Sequence, residues 1–285
     1  MFRFINNLKT FMLLAGLMAI FVLVGSYWGQ TGMIIALFLG GFMNVVAYFF
    51  SDKIALATMR AQPVSPNEAP EIYQMVRELA VKAGLPMPRV YVAPTATPNA
   101  FATGRNPQHA VVCLTQGILN TLDRQELRGV IAHELSHIKH YDVLISTIAA
   151  TIAGAISAFV YLLWFVPVGS SDSRGGNPLV AIAGIILAPI AAGLIQMAIS
   201  RKREYNADNY AAELVGDGMP LATALEKLHA GNQRRPMQLA NPSQANMFIV
   251  EPFSGRDLAN LFATHPSVEK RVKALIGRER TGRVY

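Results

Sequence analysis

The chain has 285 residues, 52% of them hydrophobic and only 15% charged, with a formal net charge of +7. A soluble domain carries about 25% charge, so the composition argues against a purely soluble globule. The positive balance comes without a nucleic-acid-binding motif, which excludes nucleic acid as the expected partner and leaves an anionic lipid bilayer.

The charge deficit is concentrated in three runs. No charged residue occurs from Thr10 to Ser51, from Val143 to Ser171 or from Gly175 to Ser200. About 20 apolar residues cross a hydrocarbon core. The runs therefore predict four spans, at 10–24, 33–50, about 143–166 and 178–200, the last kinked at Pro189. Arg3 and Lys9 precede the first hairpin, Lys53 and Arg60 follow it, and the turn at 25–32 has no basic residue. The positive-inside rule then places the N-terminus and the segment after Ser51 on the cytoplasmic side. Arg201-Lys202-Arg203 after the last span agrees. The expected layout is a transmembrane hairpin (1–51), the first part of a cytoplasmic domain (52–142), a second hairpin (143–200) and the remainder of that domain (201–285). The single cysteine, Cys113, cannot form an internal disulfide and reads as a small buried apolar side chain.

Within the domain, 62–70 reads as a Pro-containing linker. Residues 71–83 read as an amphipathic helix with Ile72, Met75, Val76, Leu79 and Ala83 on one face, stopped by Gly84 and Pro86. Residues 89–92 predict a strand. Two more, 99–103 and 109–115, are joined by the turn 104–108. Asp123 with Glu126 three residues on is a capping-box pattern that starts a helix expected to run through Ile138 towards Asp142. After Arg203 the pattern is mainly helical. Helices are expected at 220–229, 255–262 and 266–276, the last ending at Gly277, with a loop at 231–242 and a strand at 246–250. The fold class is α+β and predominantly helical.

The helix starting at Asp123 carries His133-Glu134-Leu135-Ser136-His137, an H-E-x-x-H pattern. One helical turn separates the histidines, so both rings leave one face and can share a metal ion. Glu134 beside them can serve as a general base. Catalytic zinc takes three protein ligands and keeps one position open. Glu204 is the preferred third ligand, with His140 and His265 as alternatives. Glu204 and Asp208 are four residues apart and share a helical face, so one can bind metal while the other orients a histidine ring. The plainer reading of that pair is a solvated helix with paired charges. An extended substrate would add to a sheet edge through main-chain hydrogen bonds. The candidate strands offer Asn99, Ala100, Phe101 and Ala102 on one side and His109 and Val111 on the other.

His-Glu-Leu-Ser-His followed by Glu-x-x-x-Asp resembles the gluzincin metalloproteases. Asn99-Ala-Phe-Ala-Thr-Gly104, the four-span layout, Arg203-Glu-x-x-Ala-Asp208 and Thr264-His-Pro266 together resemble the HtpX group of bacterial inner-membrane zinc endopeptidases, relatives of the CAAX prenyl proteases. The resemblance implies one Zn2+ per chain held by His133, His137 and Glu204, with Glu134 as base. It implies that Asp208 orients His133, that Asp142 supports the site, and that Arg271 buttresses it. It gives His265 the role of stabilising the oxyanion on the scissile carbonyl. The implied activity is cleavage of damaged or misfolded membrane proteins at the cytoplasmic face, a quality-control and stress-response role with protein or peptide substrates. Competing readings are a non-proteolytic membrane metal-binding protein or transporter, and an inactive adaptor. The first is weakened by the charge-free spans, because transport routes usually carry intramembrane ionisable groups. The second is weakened because no base or ligand is missing.

Overall fold

The structure, a computed structural model, describes residues 2–26, 29–149, 152, 201–234, 249 and 266–279. The expected fourth span, most of the third, the polar turn between them, the expected helix at 255–262 and His265 lie outside the described residues. So does the expected strand at 246–250, apart from Ile249.

The chain begins with two long apolar helices, α1 (Phe2–Ser26) and α2 (Gly29–Thr58). They pack along each other, and the Asn44 side-chain amide of α2 donates to the Leu14 carbonyl of α1 at 3.0 Å. Among the described residues, α2 is the one helix long and apolar enough to cross a membrane. Its outer face is unusually greasy: Phe38 is 76% and Phe42 64% exposed.

A four-stranded sheet follows, ordered β1-β2-β4-β3. β1 (Gln62–Pro63) pairs antiparallel with β2 (Arg89–Ala93), β2 pairs parallel with β4 (Val111–Thr115), and β4 pairs antiparallel with β3 (Ala100–Thr103). The linker thus supplies an edge strand that its prolines had hidden. The β3–β4 turn differs from expectation. Pro107–His109 is a single 3-10 turn capped by the Asn106 side chain, so β4 begins at Val111 and not at His109. All five residues of β4 are buried, which makes it the centre of the sheet.

Helices pack on this sheet. α3 (Pro70–Ala83) begins with proline in its first turn, where the missing N–H costs nothing, and ends at Gly84 in the left-handed conformation. A short α4 (Gln116–Thr121), not anticipated, is capped by the Thr115 hydroxyl. α5 (Arg124–Lys139) has the expected capping box. Asp123 Oδ1 accepts from the Gln125 and Glu126 amides at 2.8 and 2.9 Å, and Glu126 accepts from the Asp123 amide at 3.0 Å. α5 does not continue to Asp142. It ends at His140, Tyr141 adopts φ 61°, and a new helical stretch runs over 142–149. α6 (Arg201–Val215), α7 (Met219–Arg234) and α8 (Val268–Glu279) complete the domain. α7 runs through Gly231 where a loop was expected to start, and α8 passes through Gly277 where a stop was expected. Packing against neighbouring helices outweighs the roughly 1 kcal/mol helix penalty of each glycine.

The main core joins α3, the sheet, α5, α6, α7 and α8 through Leu79, Val112, Leu114, Ile131, Ala211, Leu225 and Leu275, all buried. Gly129 allows α7 to lie directly on α5, since a Cβ there would meet the Leu221 backbone nitrogen at 2.9 Å. A second cluster joins Leu13 and Leu17 of α1 to Leu144, Ile145, Ile148 and Ile152. A third joins Leu56 of α2, and Met59 and Ala61 just after it, to Ala93, Phe101, Val111 and Cys113 of the sheet.

Candidate metal centre

α5 is buried along most of its length, so both motif histidines project from a fixed support. α6 packs alongside and turns Glu204 and Asp208, 4% and 1% exposed, towards it. The His133 and His137 Nε2 atoms are 3.2 Å apart, and the Glu204 carboxylate oxygens lie 3.7 Å from the first and 3.6 Å from the second. Ligands of a tetrahedral ion at about 2.0–2.2 Å stand roughly 3.3–3.6 Å from one another, and the three separations of 3.2, 3.6 and 3.7 Å fall in or close to that range. Among the described residues, His133, His137 and Glu204 form the one group of at least three such side chains close enough to hold a metal.

Each ring is held from behind. His133 Nδ1 is 3.0 Å from Asp208 Oδ1, and His137 Nδ1 is 3.3 Å from Asp142 Oδ2. Arginines hold both carboxylates in turn. Arg271, itself 0% exposed, forks onto Asp208 through Nε at 2.9 Å and Nη2 at 2.7 Å. Arg203 Nη1 donates to Asp142 Oδ1 at 3.2 Å. The break at Tyr141 brings Asp142 back beside His137, which a continuous helix would not do.

This arrangement perturbs the titrations. Burial lowers the His133 pKa and outweighs the contact with Asp208, which favours the neutral ring that a metal requires. Burial also pulls His137 down, but the Asp142 hydrogen bond and the Glu204 carboxylate raise it to about 9. Burial lifts Glu134 to about 7, with Glu204 adding to the rise and His137 opposing it. Asp208 is pushed up by burial, yet its Arg271 fork and His133 contact hold it below the usual carboxylate range. A carboxylate with a raised pKa next to a metal locus is suited to receiving and returning a proton near neutrality.

α5 packs on β3, and the Ala102 main chain is close enough to the Glu134 carboxylate to pull its pKa down slightly against the larger effect of burial. Among the described residues β3 is an edge strand of the sheet, and Glu134 lies on the helix packed against it. This separates the two candidate substrate strands. Val111 lies in central β4, bonded on both sides, and His109 lies in the exposed 3-10 turn with its amide and ring on Asn106. Neither can offer an edge, and both leave the substrate-strand set. Asn99 is also diverted: it is 0% exposed, its main chain pairs with Thr115, and its side chain accepts from the Ile249 amide at 3.1 Å. Ala100, Phe101 and Ala102 remain. His140 caps α5 and lies against Ser136 and the Tyr210 ring, away from the three-residue group.

Two contributors escaped the sequence reading. Arg203 read as a membrane-flanking cation, although its spacing to Glu204 on a helix was visible. Ile249 contributes only main-chain atoms, its amide to Asn99 and its carbonyl to Arg271 Nη1 at 2.8 Å, so no side-chain pattern signals it.

Two histidines and a carboxylate around one locus, with a buried glutamate on the same helix and a sheet edge packed against it, match the metallopeptidase class of site. Comparison with known proteins narrows this. Residues 66–279 match the model of peptidase family M48, and the chain belongs to that family. It is 52% identical over 281 residues to a Burkholderia ambifaria protein described as a protease HtpX homolog, covering 98% of this chain and 99% of that one. A Ralstonia pickettii protein of the same description is 51% identical over 280 residues, covering 97% and 98%. In fold, the chain is similar to the crystal structure of Ste24p from S. mikatae, with a TM-score of 0.53 at 17% identity, over 96% of this chain and 66% of that one.

Proposed function

We propose that this metallopeptidase is a zinc-dependent endopeptidase anchored in the bacterial inner membrane, cutting damaged or misfolded membrane proteins at the cytoplasmic face. The observation that carries the reading is the convergence of His133, His137 and Glu204 beside the buried Glu134. The donor set of two imidazoles and one carboxylate, at tetrahedral spacing, suits Zn2+. Zinc supplies a Lewis acid that polarises the scissile carbonyl and makes the attacking water more acidic.

The chain's own residues do the rest. Asp208 and Asp142 lie against the Nδ1 side of the two rings, which would leave each Nε2 to a bound metal. The β3 edge aligns the substrate backbone through Ala100 and Ala102. Glu134 takes the water proton on its carboxylate and returns it to the leaving amine, so the base is regenerated in each turnover. His265 donates to the oxyanion, as the resemblance to the HtpX group implies. The exposed aromatic face of α2 supports membrane anchoring, with the hairpin at 143–200 as its second half. In this layout the charge-free runs cross the bilayer and the basic flanks stay cytoplasmic.

The test is Glu134→Gln. Peptide hydrolysis should fall by about 10²–10⁴-fold while bound zinc, measured by atomic absorption, stays at one per chain. Hydrolysis that persists with zinc bound removes Glu134 as base and with it the mechanism.

A further inference from the structure

The geometry points to a site that cuts polypeptides within a few residues of where they leave the bilayer. This rests on the reading of the substrates as membrane proteins, and it adds where along them the cut falls.

Three contacts set the height. First, the sheet stands on the end of α2. Leu56 and Met59 pack against Phe101, Val111 and Cys113, and the charge-free run ends at Ser51. At about 1.5 Å per helical residue, the sheet begins roughly 8–12 Å beyond the end of that run. Second, β3 itself reaches the apolar layer. The Thr103 hydroxyl is 3.1 Å from that of Thr147, in the helical stretch whose Leu144, Ile145 and Ile148 pack against Leu13 and Leu17 of α1. Third, two cations sit over the last aromatics of α2. The Arg105 guanidinium, in the turn after β3, lies 5.7 Å from the Phe49 ring centre, and Lys53 Nζ lies 5.0 Å from that of Phe50. Aromatic rings topped by cations mark headgroup depth.

β3 therefore has a membrane end and a catalytic end, and they are close together. Thr103 touches the apolar boundary, and α5, which carries Glu134, packs directly on the same short strand. The metal side agrees, because Asp142, which holds His137, is two residues before the membrane-packed Leu144. A polypeptide leaving the bilayer and pairing with β3 passes the base after two or three residues, about 7–10 Å at roughly 3.3 Å per residue. Such a site reaches bonds that a more distant groove could not, and it disfavours bonds held rigidly away from the surface.

The experiment uses the full-length enzyme in vesicles containing anionic lipid. The substrates are single-span polypeptides carrying one cleavable sequence, and the same sequence is supplied as a free peptide. In one series the sequence starts about two, four or eight residues from the span. In another, a stiff polyproline spacer of about 20 Å, near 3.1 Å per residue, lifts it from the surface, with a Gly/Ser spacer of equal residue number as control. The expected result is efficient cutting down to about four residues from the span and at least tenfold slower cutting above the polyproline spacer, with the flexible spacer recovering most of the loss. Equal rates with both spacers, or no cutting closer than about eight residues while distal sites are cut, overturns the inference and leaves the peptidase reading standing. No cutting of any substrate, free peptide included, removes both.

Discussion

Replacing Arg271 with Met should damage stability and metal binding together, by different amounts. The guanidinium is fully buried, forks onto Asp208 at 2.7 and 2.9 Å, and donates to the Ile249 carbonyl at 2.8 Å. Methionine fills much of the volume but leaves the Asp208 carboxylate, 1% exposed, without its countercharge. Stranding one member of a buried ion pair costs about 3–5 kcal/mol. Asp208 also relaxes away from His133 Nδ1, and losing such ring support usually weakens metal affinity about 10–100-fold. Arg271→Lys should fall between, keeping the charge without the fork. The assay is a thermal melt of purified protein in detergent, with and without zinc, alongside a competitive zinc titration. A second variant, Arg271→Met with Asp208→Leu, should recover part of the melting loss, because removing both charges is far less costly than removing one. It should not recover zinc affinity, because His133 still lacks its partner. If Arg271→Met melts with wild type and binds zinc equally well, the buttress argument is refuted.

Further outcomes follow from the same geometry. If His137 binds zinc as proposed, the metal must displace a proton held up to a pKa of about 9, so apparent affinity should fall as pH drops below that value, by up to tenfold per unit; isothermal titration in buffers of different ionisation heat should detect proton release near pH 7.5. Asp208 is held below its usual pKa, so its pair with Arg271 stabilises the fold above the ordinary aspartate range, and that contribution should be lost as pH falls through the lower folded value; an acid melting series compared with Asp208→Asn reads this. Burial pushes the Cys113 thiol up to about 12, so iodoacetamide should leave it unmodified in the folded protein and label it after denaturation, as mass spectrometry can show. His265→Ala should lower kcat by roughly 10²–10³-fold with zinc content unchanged, and an unaltered kcat removes its oxyanion role.

Legibility from sequence followed how local the determining physics is. The Asp123–Glu126 box and the Gly84 stop are short-range, and the structure has both. His133 and His137 share a face because the helical period requires it, and Glu204 and Asp208 do so for the same reason. What stayed hidden is non-local. The parallel pairing of β2 with β4 joins strands separated by β3, and no turn residue announces it. That pairing decides that β4 is central and β3 an edge, so it also decides which candidate substrate residues survive. The kink at Tyr141 has no proline or glycine to signal it, yet it puts Asp142 beside His137. Asn99 looked like strand edge because its neighbours alternate correctly, but its side-chain oxygen accepts from the Ile249 amide, far along the chain.

The order of parts along the chain has a consequence for the enzyme's own production. The base and two histidines are made early, on α5. The carboxylate that completes the metal locus comes only with α6, and the guanidinium that steadies it only with α8. At roughly 5–20 residues per second, several seconds separate the appearance of the base from that of the completed centre. During that interval a growing chain carries a reactive glutamate but no finished site to hold a metal beside it. Synthesis order thus keeps the site incomplete until both later helices have emerged, and a growing chain holds Glu134 without the carboxylate and guanidinium that pack beside its helix in the folded protein.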